Sequence, residues 1–152
     1  MIDRSFLIIL LITACALSGC SGSHLVVRDD QSRALCRCMP LPNCVSSHSF
    51  MFFNKTSPFE LAMPEDQAWR IIKDTIENMP RTVIVEEQPG YIHAKCTSLV
   101  FRFVDNLELL LNQDTNIITV RSSSTFALFD FEVNYLRIDN LRKTLQEKGA
   151  IR

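Results

Sequence analysis

The chain has 152 residues, 47% of them hydrophobic, and its 16 Lys+Arg against 17 Asp+Glu give a formal net charge of −1 at pH 7. This length accommodates one domain with short extensions. Because the charges balance, the sequence lacks the basic surface that nucleic-acid binding requires, and no nucleic-acid partner is predicted.

The first feature of the chain is an apolar run over residues 6–17, followed by leucine, serine, glycine and cysteine at positions 17–20. The run is shorter than the roughly 20 residues that a membrane-spanning helix needs. Leucine, two small residues and a cysteine are typical of a bacterial lipoprotein processing site. The pattern predicts a signal peptide over residues 1–19 and a mature chain anchored in the membrane by lipid (palmitate) on Cys20. A plain secretory signal is the alternative.

The residue after the predicted anchor is Ser21. In Gram-negative lipoproteins a residue other than aspartate at this position permits export to the outer membrane, so the prediction is an outer-membrane lipoprotein of the cell envelope that faces the periplasm. Residues 20–37 are polar or mixed in character and are predicted to be a tether. A single domain is predicted over residues 38–148, with a C-terminal tail at residues 149–152.

Four cysteines of the mature chain besides the anchor would face an oxidising compartment. Cys38 and Cys44 enclose a short stretch with two prolines, and a disulfide between them is predicted. Cys36–Cys44 and Cys38–Cys96 pairings stay open, because connectivity does not follow from sequence. A zinc or redox site at Cys36, Cys38 and His48 is a further alternative. Its spacing matches none of the usual metal patterns, so no metal and no cofactor is predicted.

The remaining elements follow from apolar periodicity and turn residues. A helix is predicted from Pro64 to Pro80, with acidic residues in its first turn. Strands are predicted over residues 82–87, 91–96, 99–104, 107–111 and 117–124. A final helix is predicted over residues 134–148, with Asn134 as its N-cap and Gly149 as its C-cap.

This order of elements predicts an α+β fold, in which an antiparallel sheet of four to five strands carries two helices packed on one face. The segment at residues 50–53 contains three phenylalanines and is predicted to cover the opposite face.

Three motifs, in order, carry a resemblance to a known family. They are Cys38-x-x-x-Pro42-Asn43-Cys44-Val45-Ser46-Ser47, Phe101-x-Phe103-x-Asp105, and the stretch from Arg121 to Arg137. Together they resemble the domain of unknown function 1499 family over residues 38–145. That family has no settled activity, so the resemblance implies the domain bounds and a bacterial envelope setting and supplies no mechanism.

The chain departs from the family pattern at Met39, Asn106, Thr125, Ala127 and Glu132. The motif residues that it keeps are Asp105, Arg121, Ser122, Ser124, Asp130, Asn134 and Arg137. A strand end, a loop and a first helical turn would bring these residues to one sheet edge. Two guanidiniums beside a helix N-terminus suit a carboxylate or phosphate, which predicts a binding site for a small anionic ligand. The alternative is that the arginines pair with Asp130 or Asp105 and pin the loop to the sheet.

Catalytic motifs give little support to an enzyme. The sequence contains no G-x-S-x-G, H-E-x-x-H or phosphate-binding loop, and the only histidines available as bases are His24, His48 and His93. No catalytic residue is predicted. The sequence therefore predicts a lipid-anchored envelope protein that is a non-catalytic binding or structural module, with an envelope protein or a small anionic ligand as partner. The alternative is a hydrolase-like enzyme that acts on an anionic envelope substrate through Arg121, Asp130 and Arg137.

Overall fold

The computed structural model describes residues 25–27, 33–125 and 132–152. The predicted signal peptide, the predicted lipidation site Cys20 and the motif residue Asp130 lie outside these ranges. Within the described ranges, no helix combines the length and the apolar character that crossing a membrane requires.

The described residues form eight strands and two α-helices. The strands are β1 Leu25–Val27, β2 Arg33–Leu35, β3 Cys44–Ser46, β4 Phe59–Glu60, β5 Thr82–Gln88, β6 Tyr91–Thr97, β7 Val104–Asn112 and β8 Ile117–Ser124; the helices are α1 Glu65–Glu77 and α2 Val133–Glu147. The main sheet has six strands, in the order β3-β8-β7-β6-β5 with β4 also paired to β8, and β1 and β2 form a separate two-stranded ribbon. All of these strand pairs are antiparallel.

The predicted α+β class with an antiparallel sheet is confirmed, but the predicted count of four to five strands is too low. The additional main-sheet strands, β3 and β4, have only three and two residues. Strands this short show no alternation of apolar and polar residues, so a periodicity argument does not detect them.

The predicted strand over residues 99–104 is wrong, because most of this segment is a loop. The Ser98 amide donates to the Phe103 carbonyl at 2.8 Å, and the Phe103 amide donates to Ser98 Oγ at 2.9 Å. Arg102 has a left-handed backbone with φ of 57°, which a continuous strand does not accommodate. Phe101 is exposed, so the apolar character of this segment does not come from burial in a sheet.

The main core lies between the helices and one face of the sheet. Residues Ile72 and Ile76 of α1 and Leu141 and Leu145 of α2 belong to it. The sheet contributes alternate positions of its central strands, namely Ile92, Ala94, Cys96, Leu107, Leu109, Leu111, Ile118 and Val120. We call this side of the sheet the helix face and the other side the outer face. Strand alternation therefore decides which of two neighbouring side chains meets the helices.

The outer face is covered differently from the prediction. Leu35 of the ribbon packs with Tyr91 and Leu110 in a second apolar cluster, and Leu25 packs against it. The segment at residues 50–53 was predicted to provide this cover, but its phenylalanines are exposed. The predicted tether over residues 20–37 thus contains both ribbon strands, which contact the sheet.

The C-terminal residues also belong to the fold. The C-cap of α2 is Lys148, one residue before the predicted Gly149, which follows with φ of +68°, a left-handed conformation that suits glycine just past a helix end. Beyond it, Ala150 and Ile151 are buried, and Ile151 pairs with Leu61 in an isolated antiparallel bridge. Two of the four residues predicted as a C-terminal tail, Ala150 and Ile151, are therefore core residues.

Candidate functional site

Five of the seven predicted site residues meet on the helix face of the sheet. Asp105 lies near the start of β7, directly opposite Ser124 near the end of β8. Ser122 lies two positions earlier on the same face, and Asn134 and Arg137 are in the first turns of α2. We call these five residues the polar network.

An ion pair lies at the centre of the polar network. Arg137 Nη2 is 2.6 Å from Asp105 Oδ2, and the two side chains are only 9% and 4% exposed. Arg137 Nη1 also donates to Ser122 Oγ at 2.8 Å and to Asn134 Oδ1 at 2.6 Å. The guanidinium that was predicted to hold an anionic ligand is therefore engaged with acceptors of the protein itself, including a carboxylate that neutralises its charge.

Asn134 connects the polar network to three parts of the fold. Its fully buried amide oxygen accepts from Ser122 Oγ at 2.6 Å as well as from Arg137. Its amide nitrogen donates to the Asn43 carbonyl at 3.1 Å and to Ser124 Oγ at 3.0 Å. Two donated and two accepted bonds equal the usual capacity of a primary amide. Asn134 thereby fastens α2 to the end of β8 and to the residue that precedes β3.

The predicted role of Asn134 as the helix N-cap is wrong. The N-cap is Glu132, which has a left-handed backbone with φ of 65°, and Asn134 is the second residue of α2. Asparagine is favoured at N-caps, and that preference led to the prediction. Here its side chain forms hydrogen bonds with Ser122 and Ser124 of β8 instead of capping the helix.

Cys96 lies in the same region and is 4% exposed. Burial is the main cause that raises the pKa of its thiol, although Arg137 acts in the opposite direction. Thr82 Oγ1 lies 3.5 Å from its sulfur. Burial and the raised pKa both favour the protonated thiol, as in a structural cysteine, whereas a nucleophilic cysteine acts as the thiolate.

Arg121 does not join the polar network, because it lies on the outer face. Its Nη1 atom is 2.6 Å from Glu108 Oε2 in a buried ion pair, with side-chain exposures of 6% and 0%. Tyr91 donates its hydroxyl to Glu108 Oε1 at 3.0 Å. Burial, followed by the nearby Glu108 carboxylate, raises the pKa of Tyr91 well above its usual value. We call Tyr91, Glu108 and Arg121 the outer cluster.

The prediction that Arg121 converges with the other site residues is therefore wrong, and the reason is strand alternation. Ser122 and Ser124 face the helices, so Arg121, which directly precedes Ser122 on β8, must point to the other side. The same argument could have found Glu108, a lone acid among the leucines of residues 107–111, as its directly opposed partner on β7.

The outer face has a second polar contact, which was not predicted from the sequence. His93 Nε2 lies 2.9 Å from Asn106 Oδ1, and both residues are buried. Asn106 Nδ2 in turn donates to Thr125 Oγ1 at 3.4 Å. The histidine therefore bridges two neighbouring strands, which suits a side chain that fills the sheet face.

A groove of about 430 Å³ runs between the C-terminal end of α1 and the N-terminal half of α2. Its lining includes Met79, Leu136 and Arg137. The N–H groups of Arg137 that make hydrogen bonds are directed away from the groove, to the polar network. The walls of the groove are therefore mainly apolar. Within the part of the chain that the structure describes, no group of three or more His, Cys, Asp or Glu residues is placed to hold a metal ion.

The predicted Cys38–Cys44 disulfide is confirmed, with a Cα–Cα distance of 5.6 Å. Neither Cys36 nor Cys96 takes part in it, so the alternative pairings do not occur. The Asn54 amide donates to two carbonyl groups of the enclosed loop, at 2.9 and 3.0 Å. The disulfide and this amide together fix the loop beside the 3₁₀-helix at Phe52–Asn54.

Comparison with known proteins gives one match. The protein-family model described as "Protein of unknown function (DUF1499)" matches residues 34–145. No curated protein and no solved structure matches the chain significantly. The matched residues include every member of the polar network and of the outer cluster.

Proposed function

The chain belongs to the DUF1499 family of proteins of unknown function, and we propose that this member is a lipid-anchored, non-catalytic module of the bacterial cell envelope. In this proposal the acyl chains on Cys20 hold the protein in the outer membrane, and the α+β domain faces the periplasm. The domain acts through contacts of its surface and not through a reaction.

The closed polar network is the observation that supports a non-catalytic role most directly. The five motif residues of the polar network, which could have bound an anion or activated a nucleophile, are hydrogen-bonded to one another. The hydroxyl proton of Ser122 is donated to Asn134 Oδ1, and its oxygen accepts from Arg137. A nucleophilic serine needs a base that accepts this proton, and an amide oxygen does not act as one.

The position of the polar network also gives it a structural purpose. It joins the first turns of α2 to the start of β7, to the end of β8 and to the backbone before β3. A helix whose N-terminus is attached in this way has a fixed orientation on the sheet. The network therefore supports the shape of the domain, in agreement with the alternative that an arginine pairs with Asp105 and has a structural role.

The envelope location has separate support. Positions 17–20 carry the features of a lipoprotein processing site, and Ser21 follows them. The Cys38–Cys44 disulfide is compatible with an oxidising compartment, where such bonds persist. Neither the hydrolase-like alternative nor a bound anionic ligand gains support from the geometry, because the arginines they require are paired.

The anchor is tested by labelling cells with radioactive palmitate and then separating their membranes. The wild-type protein should be labelled, should remain in the outer-membrane fraction after a carbonate wash, and should lose both properties when Cys20 is replaced by Ala. Cys36→Ala is the matched control and should stay labelled. A wild-type product without label, or a Cys20→Ala variant that stays bound to the membrane, would refute the anchor.

The non-catalytic role is tested with the conservative variant Arg137→Lys, which keeps the charge but loses the forked geometry. If the network is structural, this variant should lower the stability of the domain, and its cellular effect should follow the amount of folded protein. A variant that folds with wild-type stability but fails to complement a deletion strain would instead indicate a ligand site or a catalytic site.

A further inference from the structure

A group of exposed apolar side chains lies beside β3, at one edge of the main sheet. It consists of Met39, Leu41, Phe50, Phe52 and Phe53, and we call it the aromatic edge. Phe50 and Phe52 are 78% and 85% exposed, and the rings of Phe52 and Phe53 contact each other edge to face at 5.4 Å. Soluble surfaces seldom display large apolar side chains in such a group unless they contact a partner or a membrane.

We propose that the aromatic edge inserts into the interface of the same bilayer that holds the lipid anchor. This inference rests on the proposed anchor at Cys20, and it adds a second, non-covalent contact between the domain and the membrane. Its first support is the short chain between the anchor and the fold.

Ribbon strand β1 begins at Leu25, so only residues 21–24 separate the predicted acylated cysteine from the fold. A fully extended chain spans at most about 3.6 Å per residue, which places Leu25 within about 18 Å of the anchor. A domain of about 110 residues has a radius of gyration of about 13 Å and is therefore wider than this connection is long. The side of the domain near Leu25 must lie at the membrane.

The aromatic edge is on this side of the domain. Leu25 pairs with Leu35 across the ribbon. Arg37 follows two residues later, and its guanidinium carbon lies 4.3 Å from the centroid of the Phe50 ring. Leu25 is thus connected to Phe50 by one strand pair, two residues and one cation–π contact. The aromatic edge therefore lies close to the point where the chain leaves the membrane.

Charge provides an independent argument. Over residues 36–58 the only charged side chains are Arg37 and Lys55, both of which are exposed and positive, although the whole chain carries a net charge of −1. Aromatic rings flanked by cations are typical of surfaces that lie at the headgroup level, where the rings enter the acyl boundary and the cations meet lipid phosphates. The local excess of positive charge therefore favours a phospholipid surface as the occupant.

The architecture of this region also suits insertion. The Cys38–Cys44 disulfide and the Asn54 amide fix the loop that carries Met39 and Leu41 beside the phenylalanines. Because the backbone is already ordered, insertion does not have to pay for ordering a flexible loop.

The test uses the mature lipidated protein, beginning at Cys20, reconstituted in phosphatidylethanolamine–phosphatidylglycerol vesicles that contain brominated acyl chains. Trp69, the single tryptophan, is replaced by Phe, and a reporter tryptophan is introduced as Phe52→Trp or, in the control, as Val83→Trp. Val83 is also exposed, but it lies on β5 at the opposite edge of the sheet. We expect the bromine to quench most of the emission of Phe52→Trp and to leave that of Val83→Trp nearly unchanged.

Flotation of the vesicles separates the two levels of the proposal. If the protein floats with the vesicles but Phe52→Trp is quenched no more than Val83→Trp, the anchor stands and the inference about the aromatic edge is wrong. If the lipid-modified protein does not float at all, the anchor proposal itself fails. Phe50→Trp serves as a second reporter in case Phe52→Trp does not fold, and the same comparison applies to it.

One further outcome would overturn the inference. If the reporter at Phe52 is unquenched in pure lipid vesicles but becomes shielded from aqueous iodide in native membranes, a protein partner covers the aromatic edge instead of lipid.

Discussion

Removing either member of the Asp105–Arg137 pair should destabilise the domain, and replacing both members with apolar residues should cost clearly less than the sum of the two single losses. Each single substitution leaves one buried charge without its partner, whereas the double substitution leaves none. The pair is therefore suited to a double-mutant cycle with Asp105→Leu and Arg137→Met.

The expected magnitude follows from the burial of both side chains. In the wild type the Asp105 side chain is only 4% exposed, so Arg137→Met leaves a buried carboxylate without its cation. The substitution also takes away the N–H donor that serves Ser122 Oγ and Asn134 Oδ1. Breaking a buried pair from one side costs about 3–5 kcal/mol. We expect each single variant to fall in this range. The double variant should be less destabilised than the sum of the two by about 2–3 kcal/mol.

The assay is urea denaturation of the mature-length chain with Cys20 replaced by Ala, followed by circular dichroism. With a slope of about 2 kcal/mol per molar urea, a loss of about 4 kcal/mol lowers the midpoint by about 2 M. Lys143→Met is the control on the same helix, since it breaks the solvent-exposed Lys143–Asp139 pair. It should leave the urea midpoint nearly unchanged, because an exposed ion pair contributes little to stability.

Two results would refute the reasoning. Single variants that lose less than about 1 kcal/mol would show that the ion pair does not stabilise the domain as its burial indicates. Strictly additive free energies would show that Asp105 and Arg137 do not interact in solution.

Three further predictions concern the outer cluster and the disulfide. The substitutions Arg121→Lys and Arg137→Lys should destabilise additively, to within about 0.5 kcal/mol, because the two arginines lie on opposite faces of the sheet and share no hydrogen-bond partner among the described residues. In a Tyr135→Phe background, the Tyr91 phenolate should absorb only when the protein unfolds. In the folded protein the pKa of Tyr91 is raised above its usual value of 10. The protonated hydroxyl therefore makes its full contribution to stability below pH 10, and this contribution is lost as the pH rises further. Replacing both disulfide cysteines with alanine should lower the free energy of unfolding by about 2 kcal/mol, measured by urea denaturation.

These predictions fail in recognisable ways. A coupling energy above about 1 kcal/mol between the two arginine variants would restore the single convergent site that the sequence suggested. Phenolate absorbance near pH 10 with a native dichroism spectrum would show that Tyr91 is accessible to solvent. A disulfide variant as stable as the wild type would mean that the Asn54 bonds alone hold the loop.

The parts of the fold that were predictable from sequence are those with strong local signals. Helix α1 begins after Pro64 with acidic residues in its first turn, and the β5–β6 hairpin turns at Gly90, whose φ is +68°. The ribbon and β3 were not predictable, since their pairing depends on residues far away in the chain. Two exposed apolar segments, residues 50–53 and 99–104, were wrongly predicted, because hydrophobicity alone does not report burial.

The candidate site, too, was predictable only where local sequence signals determine it. Motif spacing correctly grouped Asp105 with Asn134 and Arg137, because the ends of strands and a helix start meet at one end of the sheet. It misplaced Arg121, although the alternation of residues along β8 already assigned that side chain to the other face. Sequence could not show that the arginine of the polar network is paired with protein acceptors, since this depends on distances of a few ångströms between elements.

The burial of Ala150 and Ile151 has a consequence for how the protein is made. These residues complete the core only after α2 is in place, and Ile151 joins the chain at Leu61, far back in the sequence. A nascent polypeptide that has not yet exposed residues 150–151 lacks part of its core. The domain therefore cannot finish folding until these residues have left the ribosome or the translocation channel, and a truncation before Ala150 will remove part of the interior.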